Sequence, residues 1–232
     1  MQSLLNSTID TKIQVRLRVD PAGLQGRLPA PWRVAPIPEG AHQGTNLMVI
    51  FNDVLLKQDA DGRAAPDAVN RFVGFLIPAA HPQTGEATTF MLRIFTAHPE
   101  SVPGRYRNSL PATVRREQMV DARDLQAVCT ERFDFAVAGG GAVELRLQYH
   151  RGIPSRVAWP TNLRSAADPA ILRVYRSEAL IDVVKSVPEG IDRVEDYSLR
   201  VTVPELHDLF DGTERLVSIT AVPWFVRQEF GP

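Results

Sequence analysis

The sequence predicts a mainly β protein, with a closed β-barrel or large antiparallel sheet and a few short peripheral helices. Apolar and polar residues alternate with a period of two in several segments, which is typical of strands. The 18 prolines and 15 glycines are spread between short apolar runs, which favours turns over long helices. No Ser/Gly-rich linker or fixed-period repeat divides the chain, so we expect residues 1–232 to form a single domain.

Three segments show the alternation that predicts a strand with one apolar and one polar face, namely 12–19, 143–150 and 197–203. Three consecutive glycines, Gly139 to Gly141, precede the second of these and can take positive φ, so we predict a β-hairpin there. Four further runs are apolar at nearly every position: 47–51, 72–77, 90–95 and 216–226. We interpret these as strands buried on both sides, in a sheet that closes because an open edge would promote aggregation.

Two short helices are predicted. Residues 204–210 begin with Pro204 and Glu205 and are followed by Gly212, which favours a helix of about two turns. Residues 111–120 form the second candidate, because Pro111 suits a first helical turn and the following residues include good helix formers.

Composition and charge exclude several classes of protein. The 26 basic and 27 acidic residues give no positive excess that would bind nucleic acid, and no apolar run reaches the roughly 20 residues of a membrane span. The first residues lack the charged start of a signal peptide. Cys129 is the single cysteine, which fits a reducing cytoplasm, and its apolar neighbours predict a small core residue.

The segments 18–20 (Arg-Val-Asp) and 27–32 (Arg-Leu-Pro-Ala-Pro-Trp), followed by apolar strands and then Gly104-Arg105, resemble the acetoacetate decarboxylase-like family. The resemblance follows the family order through roughly the first half of the chain. It implies a cone-shaped, closed β-barrel that encloses a small-molecule pocket, assembles into homo-oligomers and needs no cofactor.

The chemistry of that family requires a lysine amine that condenses with a ketone, and this lysine belongs to a Pro-Lys-Lys element. Here Pro111 is followed by Ala112 and Thr113, and arginine cannot replace the amine because its guanidinium stays protonated. The chain is therefore not expected to be an iminium-forming decarboxylase. Its lysines, Lys12, Lys57 and Lys185, are interpreted as solvated surface residues.

The segment from Arg105 to Glu117 is the candidate site, because the resemblance places it at the pocket. We expect substrate binding by Arg105, Arg107, Asn108, Ser109, Arg115 and Arg116, whose side chains suit an anionic ligand. Glu117 and Tyr106 are the candidate acid–base residues. In the alternative interpretation this is a surface segment whose arginines pair with Glu117, Asp121 and Asp124.

Two functions remain open at this level. The first is a lyase-like small-molecule enzyme that binds an oxo-acid or polyketide-like substrate through arginine and uses acid–base chemistry. The second is a non-catalytic protein that binds a small anionic ligand in the same pocket. A pocket without any titratable group besides arginine would favour this second function.

The five histidines lack a metal-ligand spacing, so no metal is expected. Trp159 and Trp224 either wall the pocket or pack in the core.

Overall fold

The computed structural model describes residues 3–66, 69–122 and 127–230. Within these ranges helix is limited to α1 (Pro21–Gln25) and three 3₁₀ helices at Gly40–His42, Pro99–Ser101 and Pro204–Leu209. The strands are β1 (Leu4–Arg18), β2 (Arg33–Val34), β3 (Leu47–Asp59), β4 (Asn70–Ala80), β5 (Ala87–Thr96), β6 (Ser109–Asp121), β7 (Val128–Val137), β8 (Ala142–His150), β9 (Ser155–Ser165), β10 (Leu172–Ser186), β11 (Ile191–Asp192), β12 (Val194–Val201) and β13 (Arg215–Phe230). The prediction of a mainly β fold with few short helices is confirmed.

Seven of the described strands pair in a closed ring. The order is β4–β5–β9–β10–β13–β1–β3 and back to β4, and each neighbouring pair is hydrogen-bonded. All of these pairs are antiparallel except β5 with β9, which is parallel, so the sheet of the ring is mixed. Closure leaves none of the seven strands with a free edge along its whole length, as the apolar runs predicted.

A four-stranded antiparallel extension, in the order β6–β7–β8–β12, leaves the ring where β6 pairs with β5. Its apolar face packs on the outside of the ring and encloses the largest apolar core of the described residues. This core joins Val15 of β1, Phe51 of β3 and Phe75 of β4 to Phe133 of β7 and Leu145 of β8. Cys129 is buried there, as predicted.

Strand β1 is covered on both faces. Its odd-numbered residues Ile13, Val15 and Leu17 pack into the outer core, while Lys12, Gln14 and Arg16 face the inside of the ring. Both edges of the strand are hydrogen-bonded as well, to β13 and to β3. The period-two pattern thus predicted the strand correctly, but its polar face points into the protein.

The two helix predictions have different outcomes. Residues 204–209 are helical, although with 3₁₀ geometry. Residues 111–120 belong to strand β6, so the helix predicted there is wrong. Pairing with β7 overrides the helical propensity of this segment, and Ala112 is buried while Thr113 is exposed, as in a strand with one covered face. Within the described ranges no helix has the length and apolar character needed to cross a membrane.

The predicted glycine hairpin is confirmed, because β7 and β8 pair on either side of it. Gly140 and Gly141 have φ of +101° and +81°, a region in which residues with a Cβ are strained. A Cβ on Gly141 would also lie 2.5 Å from the carbonyl oxygen of Thr202, whereas a Cβ on Gly140 would meet nothing within 4 Å.

These surroundings give a test of the hairpin. We expect Gly140→Ala to lower the free energy of unfolding by about 1–2 kcal/mol through backbone strain alone. Gly141→Ala should lower the free energy of unfolding by roughly 1–3 kcal/mol more than Gly140→Ala does, because its methyl group overlaps the backbone that follows β12. Urea denaturation of both variants measures the difference. Equal losses would contradict the close packing of Gly141 on Thr202.

Candidate functional site

The inside of the ring holds a cavity of about 360 Å³, and all seven strands of the ring contribute side chains to it. Most of the wall is apolar, including Phe72, Leu76, Met91, Val222 and Phe225. The lysine and the two arginines of the wall, Lys12, Arg16 and Arg227, come from the neighbouring strands β1 and β13. An apolar cavity with a few convergent polar groups is the usual form of a small-molecule site.

Lys12, Gln14 and Arg16 form a row on the inner face of β1, referred to here as the polar row. They alternate with the apolar residues that β1 sends to the outer core, so the strand geometry directs all three into the cavity. The hydrogen-bonding register places Lys12 opposite Asn52 of β3 and Val222 of β13. The polar row is the main source of positive charge in the cavity.

Lys12 is buried, with 8% of its surface exposed. Its Nζ lies 3.0 Å from the centre of the Phe225 ring and 3.6 Å from Oδ2 of Asp10. Burial lowers the pKa of Lys12 from 10.5 to about 7, even though Asp10 acts in the opposite direction, and Arg227 lowers it further. The interpretation of Lys12 as a solvated surface lysine is therefore wrong, because the polar face of β1 is the inner face of the ring. Lys185, by contrast, pairs with Asp192 near the surface.

Asp10 and Arg227 extend the charged region beyond Lys12. Asp10 is fully buried, and neither of its carboxylate oxygens accepts a hydrogen bond in the described part of the chain. Arg227 lies 3.9 Å from Asp10, donates to the Thr8 hydroxyl at 3.3 Å and stacks over the ring of Tyr175. Asp10 is therefore the carboxylate nearest to both cations at this end of the cavity.

Asn52 lines the cavity next to Lys12 and is fully buried. Neither its amide nitrogen nor its amide oxygen has a hydrogen-bond partner among the described residues. A buried carboxamide without partners costs stability, since both of its polar groups have lost water. Its position beside the amine places a donor and an acceptor where a polar group of a ligand would satisfy both.

Arg16 lies at the other end of the polar row and has 9% of its surface exposed. Its guanidinium donates to the Thr220 hydroxyl at 2.8 Å and to the Gln14 side chain. Burial lowers the pKa of Arg16 to about 10. The neighbouring His42 pairs with the Ser218 hydroxyl at 2.8 Å, and its pKa falls to about 4 because of burial and the charge of Arg16, so the imidazole is neutral at physiological pH.

The segment 102–106 closes the cavity near Arg227. The Tyr106 hydroxyl lies 2.6 Å from the Tyr175 hydroxyl, and burial raises the pKa of both phenols, that of Tyr175 to about 12. Gly104, with φ of +90°, permits this arrangement because a Cβ there would lie 2.4 Å from the Tyr175 hydroxyl. Tyr106 and Tyr175 are therefore protonated at neutral pH and act as hydrogen-bonding groups of the wall.

The candidate segment predicted from the sequence reaches the cavity only in part. Tyr106 lines it. Asn108 is buried beside it and donates to the Met91 carbonyl oxygen at 2.6 Å, and Ser109 begins β6 opposite Ile94. Arg105 is exposed and lines a second, outer pocket on the far side of segment 102–106. Arg107 is exposed and pairs with Asp168.

Arg115, Arg116 and Glu117 lie on β6, away from the cavity. Arg115 pairs with Glu117 at the surface, and Arg116 pairs with Asp53 and Glu131 on the outer side of the ring. The structure therefore does not bring these three residues together with Tyr106. The pair of Arg115 with Glu117 is one that the alternative interpretation named, whereas the partners of Arg116 are carboxylates that it did not name. Asp124, named in that alternative, lies outside the described residues. Ala112 and Thr113 do not line the cavity either.

Sequence reasoning missed Lys12, Arg16, Asn52 and Arg227 as cavity residues. The signal was present in β1, where charged and polar residues alternate with apolar ones over an unusual length for a strand. Trp159 lines the cavity and packs edge-on against Phe225, whereas Trp224 does not contribute to the lining. No cluster of three or more metal-ligating side chains occurs in the part of the chain that the structure describes.

No protein-family model matches the chain, and no curated protein matches it in sequence. Solved structures do match. An acetoacetate decarboxylase-like enzyme from Sphingomonas wittichii RW1 is similar over 100% of this chain and 92% of its own, with a TM-score of 0.61 and 16% identity. Acetoacetate decarboxylase from Legionella pneumophila is similar over 99% and 88%, with a TM-score of 0.57 and 12% identity.

This chain has the acetoacetate decarboxylase-like fold. The resemblance drawn from the N-terminal motifs is thereby confirmed at the level of fold. The enduracididine biosynthesis enzyme MppR, solved in complex with pyruvate, also shares the fold, with a TM-score of 0.56 and 11% identity over 99% of this chain and 89% of its own. The acetoacetate decarboxylase-like scaffold is thus one on which structural neighbours act as enzymes.

The lowered pKa of Lys12 predicts a measurable effect on stability. Between pH 7 and 10.5 the folded chain holds a neutral amine while the unfolded chain keeps the proton. The unfolded state binds more protons in this window, so stability of the wild type relative to Lys12→Met should rise with pH by about 1.4 kcal/mol per unit. Denaturant unfolding of both proteins across this window measures the slope.

The control for this measurement is Lys185→Met, which removes a lysine that pairs with Asp192 near the surface. Parallel stability curves for the wild type and Lys12→Met between pH 7 and 10.5 would contradict the lowered pKa of Lys12.

Proposed function

We propose that this chain is a small-molecule enzyme in which the amine of Lys12 condenses with the carbonyl group of an oxo acid. The single observation that carries the proposal is the burial of Lys12 in an apolar cavity, where its pKa falls to about 7. A substantial share of the amine is then neutral at physiological pH and carries the lone pair that nucleophilic attack requires.

The condensation proceeds in two steps, addition of the amine and then loss of water. The neutral amine adds to the carbonyl carbon and forms a carbinolamine, and loss of one water molecule then gives an iminium. Asp10, 3.6 Å from Nζ, is the nearest carboxylate that can move protons in these steps. Asn52 lies across from Lys12 in the register and offers an unpaired donor and acceptor for the carbinolamine hydroxyl.

The iminium supplies an electron sink. When a bond to the carbon next to the iminium breaks, its electron pair moves into the iminium and forms an enamine, which a proton later quenches. The broken bond is a carbon–carbon bond in a lyase reaction. Arg227, beside Asp10, and Arg16, at the other end of the polar row, are the two arginines in the cavity that can bind an acid group of the substrate. The pyruvate complex of the structural neighbour MppR supports an oxo acid as the class of substrate.

This proposal revises the expectation that the chain forms no iminium. That expectation depended on Ala112 and Thr113 at the positions of the family lysines, and on Lys12 being solvated. Lys12 offers an amine from β1 instead of β6. A binding protein without catalysis was expected to have no titratable group besides arginine in its pocket, and the presence of Lys12 favours the enzyme.

Reductive trapping tests the proposal. Incubation with pyruvate or acetoacetate and sodium cyanoborohydride should convert the iminium to a stable secondary amine on Lys12. We expect intact-mass spectrometry to show one adduct and peptide mapping to place it at Lys12. Lys12→Met should lose the adduct, while Lys185→Met should keep it. An adduct confined to Lys57 or Lys185, or no adduct with any oxo acid, would contradict the role of Lys12.

The pH dependence of trapping gives a second measurement. Because attack needs the neutral amine, the rate of adduct formation on Lys12 should rise with pH and level off above about pH 7. An ordinary lysine would keep gaining reactivity up to about pH 10.4. If the rate of adduct formation at Lys12 continued to rise beyond pH 9, the pKa of Lys12 would not be lowered in the way that its burial indicates.

A further inference from the structure

The buried arginines of the chain differ in one respect. Arg227 has Asp10 beside it, Arg116 pairs with Asp53 and Glu131, and both therefore have protein carboxylates as counter-ions. Arg16 is buried to the same degree as Arg227, yet no carboxylate lies within 4 Å of it in the described ranges. Its Nε also lacks a hydrogen-bond partner there.

A buried guanidinium without a counter-ion is costly, because it has lost water and gained no opposite charge. The groups around Arg16 do not supply that charge. Thr220 and Gln14 are neutral, and His42 is a neutral imidazole bonded to Ser218. Arg16 lines the same cavity as Lys12, so a ligand in this cavity can reach it.

The two ends of the polar row are far apart. The Arg16 guanidinium donates a hydrogen bond to Thr220, and Thr220 lies opposite Gln14 of β1. The Lys12 amine lies over the ring of Phe225, and Phe225 lies opposite Asp10 of β1. Asp10 and Gln14 are four residues apart on β1, which along a strand corresponds to a separation of roughly 13 Å. An oxo acid whose carboxylate is only one or two bonds from its carbonyl cannot contact both groups at once.

We propose that Arg16, with Gln14 and Thr220, forms a carboxylate subsite at the end of the cavity opposite Lys12, and that the substrate is an elongated oxo acid with several carbons between its carbonyl and its carboxylate. This inference rests on the proposed function for the carbonyl end. The apolar side chains that line the same cavity, including Leu76, Met91 and Val222, suit an aliphatic chain. The planar guanidinium suits a carboxylate in particular.

The first test uses ligands that cannot form an imine. Octanoate and octanamide have the same chain but differ in charge. Wild-type protein should bind octanoate roughly ten- to a hundredfold more tightly in calorimetry, as expected for charge-assisted hydrogen bonds to a buried arginine. Equal affinity of the wild type for the two compounds would overturn the subsite, and this comparison needs no variant.

Variants then locate the charge that recognises octanoate. Arg16→Met should abolish the preference for octanoate over octanamide, and Arg16→Lys should retain part of it. Arg18→Met removes an exposed arginine two residues further along β1 and should leave the preference intact. Lys12→Met should also retain it, because octanoate has no ketone group that could condense with the amine. A preference that survives in folded Arg16→Met would overturn the assignment.

A second test joins the two ends. Trapping on Lys12 should reach half-saturation at roughly ten- to a hundredfold lower concentration of 7-oxooctanoate than of 2-octanone, which lacks the carboxylate. Arg16→Met should remove this advantage. Trapping of both compounds with equal efficiency overturns the subsite while Lys12 chemistry stands. Absence of trapping, with the octanoate preference still dependent on Arg16, overturns the oxo-acid substrate and leaves a carboxylate subsite.

Discussion

Strand β1 is hydrogen-bonded on both edges and covered on both faces, and the chemistry of the cavity depends on that enclosure. On one side the outer core packs against Val15 and its apolar neighbours, and on the other side the closed ring surrounds the polar row. Water has little access to either face. The charges of Lys12 and Arg16 are therefore screened weakly, and small changes in their surroundings have large effects on them.

The same desolvation acts on different groups in different ways. It removes the proton readily from Lys12 and from His42, because their neutral forms are stable in an apolar environment. A guanidinium does not lose its proton at physiological pH, so Arg16 stays charged. The cavity thus combines an amine of lowered pKa at one end with a persistent cation at the other, although both residues come from one strand and share one face.

The fold was largely predictable from the sequence, because period-two alternation and the three glycines report directly on strands and a hairpin. The helix predicted at 111–120 failed because the pairing of β6 with β7 is a long-range effect that local propensity does not contain. The site was predictable only in part. Tyr106, a candidate residue of the sequence analysis, lines the cavity, but the polar face of β1 was assigned to solvent.

That error has a physical cause. Alternation states that a strand has two different faces, but it does not state what covers each face. Ring closure makes the polar face internal, because it pairs β1 with both β3 and β13. Strand β13 follows β1 by about two hundred residues of sequence. The candidate residues in the segment 105–117 were chosen by their chemistry, which does not tell where a side chain points. Arg116, for example, pairs with protein carboxylates outside the cavity.

The double covering of β1 also constrains how the chain can misfold. If β1 slipped by one residue against its neighbours, every side chain would change face. Lys12 and Arg16 would enter the outer apolar core, and Ile13 and Val15 would replace them in the cavity. Most strands with one solvated face lose only packing in such a slip, whereas here two charges would be buried among Phe51 and Phe133. A slip of β1 by one residue is therefore disfavoured by the burial of charge among apolar side chains as well as by the loss of packing.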